Sequence, residues 1–383
     1  MKKTLLSLAL LTAAGTAHAD YGNARVAGMS GAAYATGNHV DGALYNPSLG
    51  ASFDENDDFA LTFDLGAFIE ADKDLLDDLE DLSDFLDELD ALSNYQNLTP
   101  AQAQRAIDYL QTVESQEALV DAGGGLSLAI PNNTIALNFI YRARLTANVA
   151  TDIDPNDYQR ITDSIADRLE TDSLQSSIHA RGALVTDLGV TLAKGFDVGS
   201  GRLLLGATPK YVTVETFVYD STLQEFDEDD FDADNQTLES SSFNVDAGMT
   251  YILGNVRAAL AVNNALSEEY DTVDGGVLEL KPRVTAALGY QSQRVRLEGA
   301  VDVSATPDLA TGVDRQAARA GIELSPVSWL HFRAGIQTDL EDNFNDTYSV
   351  GIGLSPGWFN VDLVGIAGDE DSAGAALQLG LRF

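Results

Sequence analysis

Apolar and polar residues alternate along most of this chain with a period of two. Between 295 and 303, Val295, Leu297, Gly299, Val301 and Val303 fall on one side and Arg296, Glu298, Ala300 and Asp302 on the other, the pattern of a β-strand with one polar face. Ile135, Leu137, Phe139 and Tyr141 stand against Asn138, Arg142 and Arg144, and Phe243, Val245, Ala247, Met249 and Tyr251 against Asn244, Asp246 and Thr250. The same reading holds over 59–66, 126–130, 184–192, 203–217, 256–262, 284–290, 318–324, 330–336, 348–354, 359–363 and 377–383. About fourteen strands are predicted.

The connections sort by parity. Some fifty acidic, helix-patterned residues follow the first strand, only Pro131-Asn132-Asn133 the second, about thirty residues the third, and Asp197-Val198-Gly199-Ser200-Gly201 the fourth. Farther on, 222–235, 267–277, 306–314, 339–345 and 368–372 are long and acidic, whereas Gly254-Asn255, Ser292-Gln293, Ser325-Pro326 and Ser355-Pro356-Gly357 are tight. An even-stranded up-and-down barrel in an outer membrane predicts this asymmetry, with short periplasmic turns and longer external loops. The expected fold is all-β: a transmembrane antiparallel barrel with an N-terminal hatch and helical extracellular insertions. Closure also removes the open edges that membranes do not tolerate. Leu377, Leu379, Leu381 and Phe383 resemble the C-terminal signal read by the barrel-assembly machinery, with Gln378 where that signal often has glycine.

Lys2-Lys3, the apolar run 5–14 and Ala17-His18-Ala19 form a signal peptide cut after Ala19. The expected layout is a leader over 1–19, a hatch over 20–57 and a barrel over 58–383 with a helical insert at about 70–122. No apolar run approaches the ~18 residues of a transmembrane helix. The chain has no cysteine, so packing and a closed ladder must supply stability. Its net charge of −38 repels nucleic acid; outer-membrane lipid and lipopolysaccharide are the expected surroundings.

Two segments break the strand rhythm. Leu75, Leu79, Leu82, Leu86 and Leu89 recur at 4-3-4-3 spacing among aspartates and glutamates, an amphipathic helix. Thr99-Pro100 with Gln102 opens a second helix, with threonine as N-cap and proline in the first turn. Ile161, Ile165 and Leu169 suggest a third. The apolar stripes, with Ile107, Leu110, Phe217 and Tyr219, are candidates to line a capture site for a hydrophobic ligand.

The other segment, ahead of the first strand, is rich in glycine and alanine and includes Gly28, Gly31 and Tyr45-Asn46-Pro47-Ser48. Such residues allow tight turns in a confined space, as a plug requires. Here the sequence resembles the hatch of the long-chain fatty-acid transporter (FadL) superfamily, with its Y-N-P-A motif, serine here replacing alanine. It is more similar to the conjugal-transfer TraF-like outer-membrane family. That likeness rests on the hatch, the Asp/Leu-rich insert and a G-x-T-P-K-Y strand, here Gly206-Ala207-Thr208-Pro209-Lys210-Tyr211. The resemblance implies a fourteen-stranded barrel passing hydrophobic or small solutes, or a structural component beside a conjugation or secretion apparatus.

Catalysis finds little sequence support. Beyond the leader the histidines are His39, His179 and His331, and neither G-x-S-x-G nor H-E-x-x-H occurs; His331 on an inward face beside Arg333 is a candidate base but reads as a hydrogen-bonded lining residue, and the chain does not read as an enzyme. No cofactor is expected. Asp227, Glu228, Asp229 and Asp230 offer hard oxygen ligands for Ca²⁺, although no EF-hand spacing surrounds them. The lumen is expected to carry Asp64, Arg142, Arg144, Asp187, Asp246, Arg257, Arg283, Arg296, Glu298, Asp302, Arg319, Glu323, Arg333 and Asp362, whose mixed signs favour pairing that braces the wall.

Overall fold

A computed structural model describes residues 23–54, 57–71, 78, 81–82, 85, 98–114, 116–166, 174–222, 237–368 and 372–383. Its strands are β1 (Ala60–Ala71), β2 (Glu117–Ile130), β3 (Ala136–Asp152), β4 (Ser177–Val198), β5 (Gly201–Thr222), β6 (Thr237–Leu253), β7 (Val256–Asn263), β8 (Glu268–Asp271) and β9 (Val277–Leu280). They continue with β10 (Arg283–Gln291), β11 (Val295–Asp302), β12 (Thr306–Pro307), β13 (Asp314–Arg315), β14 (Ala317–Val327), β15 (Leu330–Asp339), β16 (Thr347–Leu354), β17 (Phe359–Gly368) and β18 (Ala373–Arg382). Helices among the described residues include α1 (Ala24–Ala27), α2 (Pro100–Val113) and α3 (Pro155–Asp163).

Fourteen strands close into one antiparallel barrel, β1 pairing with β18, while β8–β9 and β12–β13 form separate hairpins. Each of the fourteen alternating segments is a wall strand. β1 and β18 run in register from Ala60 opposite Arg382 to Ile69 opposite Ala373, and Phe383 stacks on Phe59 with ring centroids 4.6 Å apart. The wall is inside-out relative to a soluble protein. Phe63, Phe139, Leu188, Tyr211, Phe243, Leu297 and Val350 are exposed on its outer face, while Asp64, Asn138, Asp187, Lys210 and Glu323 are buried within. Lipid solvates the first set. No helix among the described residues is long and apolar enough to cross a membrane.

The barrel is lopsided. β4 and β5 have 22 residues each and β7, β11 and β16 only eight. Since about 9–11 residues span a bilayer, roughly half of β4 and β5 stands clear of it, on the long-loop side. Apolar residues on both faces of this extension are covered. On the outward face Ile178, Ala180 and Tyr219 join a core with Leu82, Phe85, Leu98, Ala103, Ala106, Leu110, Val113, Ile153 and Ile161. On the inward face Ala183, Val185, Val212 and Val214 pack against Tyr270, Leu278 and Leu280 of the β8–β9 hairpin.

The helices start where their caps dictate. Thr99 Oγ1 accepts from Gln102 N at 3.3 Å and Gln102 Oε1 accepts from Thr99 N at 3.0 Å, a reciprocal capping box ahead of Pro100. Asp157 on α3 accepts from the N–H groups of Gln175 and Ser176 and from Ser176 Oγ at 2.6–3.1 Å, fixing α3 to the start of β4.

Candidate functional site: a lumen occupied by the N-terminal segment

Residues 23–54 lie inside the barrel, most of them fully buried. Their shape comes from local chemistry. Asn23 caps α1, its side chain accepting from Val26 N. Gly31, at φ +81°, takes the left-handed conformation that turns the chain after α1. Asn46 caps the 3₁₀ turn Pro47–Ala51: its Oδ1 accepts from Ser48 N at 3.1 Å and Ser48 Oγ at 2.8 Å. Its Nδ2 donates to the Tyr34 carbonyl at 2.7 Å and to Thr250 Oγ1 of β6 at 3.0 Å. Pro47 occupies the first position of that turn, where no N–H is needed.

The wall meets this segment at glycines. A Cβ on Gly206 would overlap the Pro47–Ser48 backbone and one on Gly248 the Asn46 side chain; Gly321 and Gly335 leave the same room for Met29 and Ser30. The two sequence motifs that carry the family resemblance therefore touch. In the second, Gly206 receives the Asn-Pro-Ser turn, Thr208 Oγ1 lies 2.7 Å from Thr191 Oγ1 across β4–β5, and Lys210 reaches two carboxylates. Tyr211 faces outward.

Side chains from around the wall hold the segment. Glu298 of β11 accepts from the N–H groups of Tyr34 (2.5 Å), Ala35 (3.0 Å) and Thr36 (2.7 Å) and from Thr36 Oγ1 (2.8 Å). Asn23 Nδ2 donates to Asp64 (3.0 Å), Asn138 Nδ2 to the His39 carbonyl (2.6 Å) and Gln378 Nε2 to Asp41 (2.5 Å). Asn263 Nδ2 donates to the Tyr45 carbonyl at 3.3 Å and Arg257 to Ser52 Oγ at 3.1 Å. Gln378, which departs from the usual glycine of the C-terminal signal, thus contacts the lumen-filling segment, and its Oε1 also accepts from Arg25 N at 3.3 Å.

All fourteen ionisable side chains expected along the lumen lie on its inward face, and most are paired. Asp187 is 2.6 Å from Arg142, 3.3 Å from Arg144 and 3.5 Å from Lys210, which is 3.0 Å from Asp246. Glu323 joins Arg25 (3.3 Å), Arg296 (2.9 Å) and Arg333 (2.7 Å), and Arg333 joins Asp362 at 2.5 Å. Arg319 pairs with Asp302 at 3.0 Å. Lys210, Asn138, Asn263, Gln378 and Arg25 escaped the sequence reading as site residues; each wall residue among them sits at an inward position of an alternating strand, which is the signal that finds it.

Two concavities flank this arrangement. A polar vestibule of about 420 Å³ at the short-turn rim is lined by His39, Asp41, Arg202, Arg257, Arg296 and Asp362 among others. On the outer wall, Leu126, Phe139, Tyr141, Leu188, Pro209 and Tyr211 line an apolar groove of about 580 Å³. The β4–β5 pairing skips Val190 and Thr191 opposite Pro209 and Thr208 there without changing register, because proline has no N–H to give the ladder.

Of the candidate ligand-binding residues, Leu82, Leu110 and Tyr219 are buried in the core over the outward face of β4 and β5, with Ile107 packed against it. Phe217 lies over Gly182. Leu75, Leu79, Leu86 and Leu89 lie outside the described residues, as do Asp227, Glu228, Asp229 and Asp230; among the described residues no acidic or histidine cluster could hold a metal ion. Of the residues expected to form a hatch, Gly28 abuts Val364 and Arg333, and the Tyr45 ring meets Tyr34 edge-on with centroids 6.3 Å apart.

The model of the family described as "F plasmid transfer operon, TraF, protein" matches residues 43–302. The chain belongs to that family. The match takes in both the Tyr45-Asn46-Pro47-Ser48 turn and the Gly206–Tyr211 strand that face one another in the lumen. Among solved structures, a deletion mutant of the monoaromatic hydrocarbon channel TodX is similar with a TM-score of 0.57 at 11% identity, covering 94% of this chain and 99% of that one. The toluene transporter TodX of P. putida gives 0.52 at 12% identity (96% and 99% covered). A FadL homologue of Pseudomonas aeruginosa gives 0.51 at 10% (97% and 99%). At such identities the likeness is one of fold. No curated protein matches the chain.

Proposed function

We propose that this protein is an outer-membrane passage for a hydrophobic or small solute, exported by its leader, in which residues 23–54 act as a hatch. The long loops face outside the cell and the polar vestibule opens to the periplasm. One observation carries this reading: the segment filling the lumen is joined to the wall through side chains, such as Glu298 and Gln378, while the wall's backbone ladder closes without it. A filler of that kind can shift without opening the barrel. The outer-wall groove beside the interrupted β4–β5 ladder offers an apolar solute a seat at the bilayer. The structurally similar proteins are named as transporters and channels for toluene and monoaromatic hydrocarbons, which fits a solute of that class. The family's description favours a second reading, a structural component of a conjugation apparatus.

Deleting Asp20 to Ala51 tests the hatch. A heat-modifiable barrel with raised conductance in planar bilayers is expected, because the ladder does not need the plug. Unchanged conductance would mean that wall side chains close the lumen, and the assembly reading would take first place.

A further inference from the structure

At the long-loop rim β5 brings Asp220 against Ser177 and His179 of β4, some forty residues earlier in the sequence. His179 and Asp220 are directly paired in the β4–β5 register. The His179 Nδ1 atom lies 2.5 Å from Asp220 Oδ1, and its Nε2 lies 3.0 Å from Ser177 Oγ. Ser177 and His179 are two apart on one strand, so they share a face. That face is the inward one, in line with Ala183, Val185 and Asp187, and it opens to water at the barrel mouth: the side chains of His179 and Asp220 are 33% and 55% exposed.

The atom order is what gives this cluster chemical content. With Nδ1 protonated and donating to the Asp220 carboxylate, Nε2 is left as the acceptor of the Ser177 hydroxyl proton. Carboxylate on Nδ1 and serine on Nε2 is the arrangement that makes a serine nucleophilic, on whatever fold it occurs. The lumenal His331 is built differently: its ring nitrogens are bonded to Ser325 Oγ (2.7 Å) and Ser355 Oγ (2.9 Å), and no carboxylate is bonded to either. Sequence inspection misses Ser177, His179 and Asp220 because no short motif links residues on neighbouring strands; only the register does.

We infer that Ser177, His179 and Asp220 form a nucleophilic triad that hydrolyses carboxylic esters at the mouth of the barrel. Ser177 Oγ attacks the ester carbonyl carbon as its proton passes to His179 Nε2. The carbon–oxygen bond to the alcohol then breaks, and the alcohol leaves with that proton. Water, present in the open mouth, attacks the acyl-serine, gives a proton to Nε2, and the bond to Ser177 Oγ breaks to release the acid and restore the serine. The sum is ester plus water to acid plus alcohol, with no metal or co-reactant. Ser177 and His179 are the catalytic residues. Asp220 acts through His179 and is a positioning residue. This activity is independent of whether solute passes the lumen.

The test uses the full chain purified in detergent, a tagged fluorophosphonate as probe and p-nitrophenyl butyrate as substrate. Covalent labelling that maps to Ser177, and ester turnover lost together with it in Ser177→Ala, are expected. His179→Ala should lower kcat by a hundredfold or more. Asp220→Asn should lower kcat with KM unchanged, and Asp220→Glu should recover part of the loss, a pattern that a merely structural aspartate would not produce. Heat-modifiable mobility checks that each variant is folded. Absence of labelling above the Ser177→Ala level, or turnover that survives this substitution, overturns the proposal.

Discussion

At Lys210 a single ammonium, fully shut off from solvent, sits 3.0 Å from Asp246 and 3.5 Å from Asp187. Asp187 keeps Arg142 and Arg144 as partners, so Asp246 is the group that loses most when the ammonium goes. Removing one member of a buried ion cluster leaves an uncompensated charge, at a cost of about 3–5 kcal/mol. Lys210→Met should therefore lower the thermal unfolding midpoint measured by circular dichroism, and adding Asp246→Asn should restore most of the loss; no recovery in the double variant would show that the lysine stem, and not its charge, is what matters. His39 is one residue through which pH reaches the lumen. Burial pushes its imidazole below the ordinary 6.5, an effect that Asp57 opposes and Arg382 reinforces. A ring held neutral in the folded state contributes stability that is present above about pH 6.5 and is lost as the pH falls below that, toward the depressed folded value. The protection of the Val40 amide against hydrogen exchange, taken relative to its intrinsic rate at each pH, should fall between pH 7 and 5 in the wild type and lose that dependence in His39→Gln. An equal fall in both would remove His39 as the cause. The roles of Lys210 and His39 are only half legible in the sequence: strand parity gives the inward direction of Lys210, but which carboxylate it meets depends on register between strands that alternation alone does not fix.

Elements were the most readable level. Period-two alternation located every wall strand because one face of each must be apolar for lipid and the other polar for the lumen. Strand ends were less readable. β4 and β5 continue well past the expected 184–192 and 203–217, since beyond the bilayer apolar residues on both faces are covered by protein and the alternation that marks a lipid-facing strand is diluted. The β8–β9 hairpin was missed in the 267–277 loop for the same reason, its Tyr270, Leu278 and Leu280 serving as a lid on an inward face. The capping box at Thr99 and Gln102 was legible because it is local. The long insert acquires a physical role from this geometry: α2 and α3 cover apolar residues that would otherwise meet water, which is what Leu110, 2% exposed, and Ile161, 1% exposed, accomplish. Truncating either to alanine should cost about 2–5 kcal/mol, and this loss should stay local. Limited proteolysis of Leu110→Ala is expected to cut between residues 98 and 116 faster than wild type while the barrel keeps its heat-modifiable mobility; wild-type cleavage rates would show that the cover does not depend on this core.

Across the whole molecule, charge and loop length point the same way. The net charge of −38 is concentrated in the connections at the long-loop rim, while the turns at the other rim, such as 131–135, 254–255, 292–294 and 355–358, carry few acidic residues. An asymmetry of this kind orients a barrel: short turns reach the periplasm first and need no translocation, whereas long acidic loops remain hydrated on the outer surface. It also accounts for α2, α3 and both hairpins, which belong to long-side connections. Epitope tags inserted at Asp78 and Asp230 should accordingly be bound by antibody on intact cells, and tags at Asn132 and Pro356 only after the outer membrane is permeabilised. The strand count enters the prediction directly, because Asp78 and Asn132 are separated by β2 alone among the wall strands. Labelling of Asn132 on intact cells, with Asp78 silent, would invert the barrel, and with it the assignment of the Ser177 cluster to the outer mouth and of the Arg202 and Arg257 vestibule to the periplasm. Labelling at all four sites would instead mean that the chain does not cross the membrane between them, which a barrel closed from β1 through β18 back to β1 does not permit in a bilayer-spanning wall.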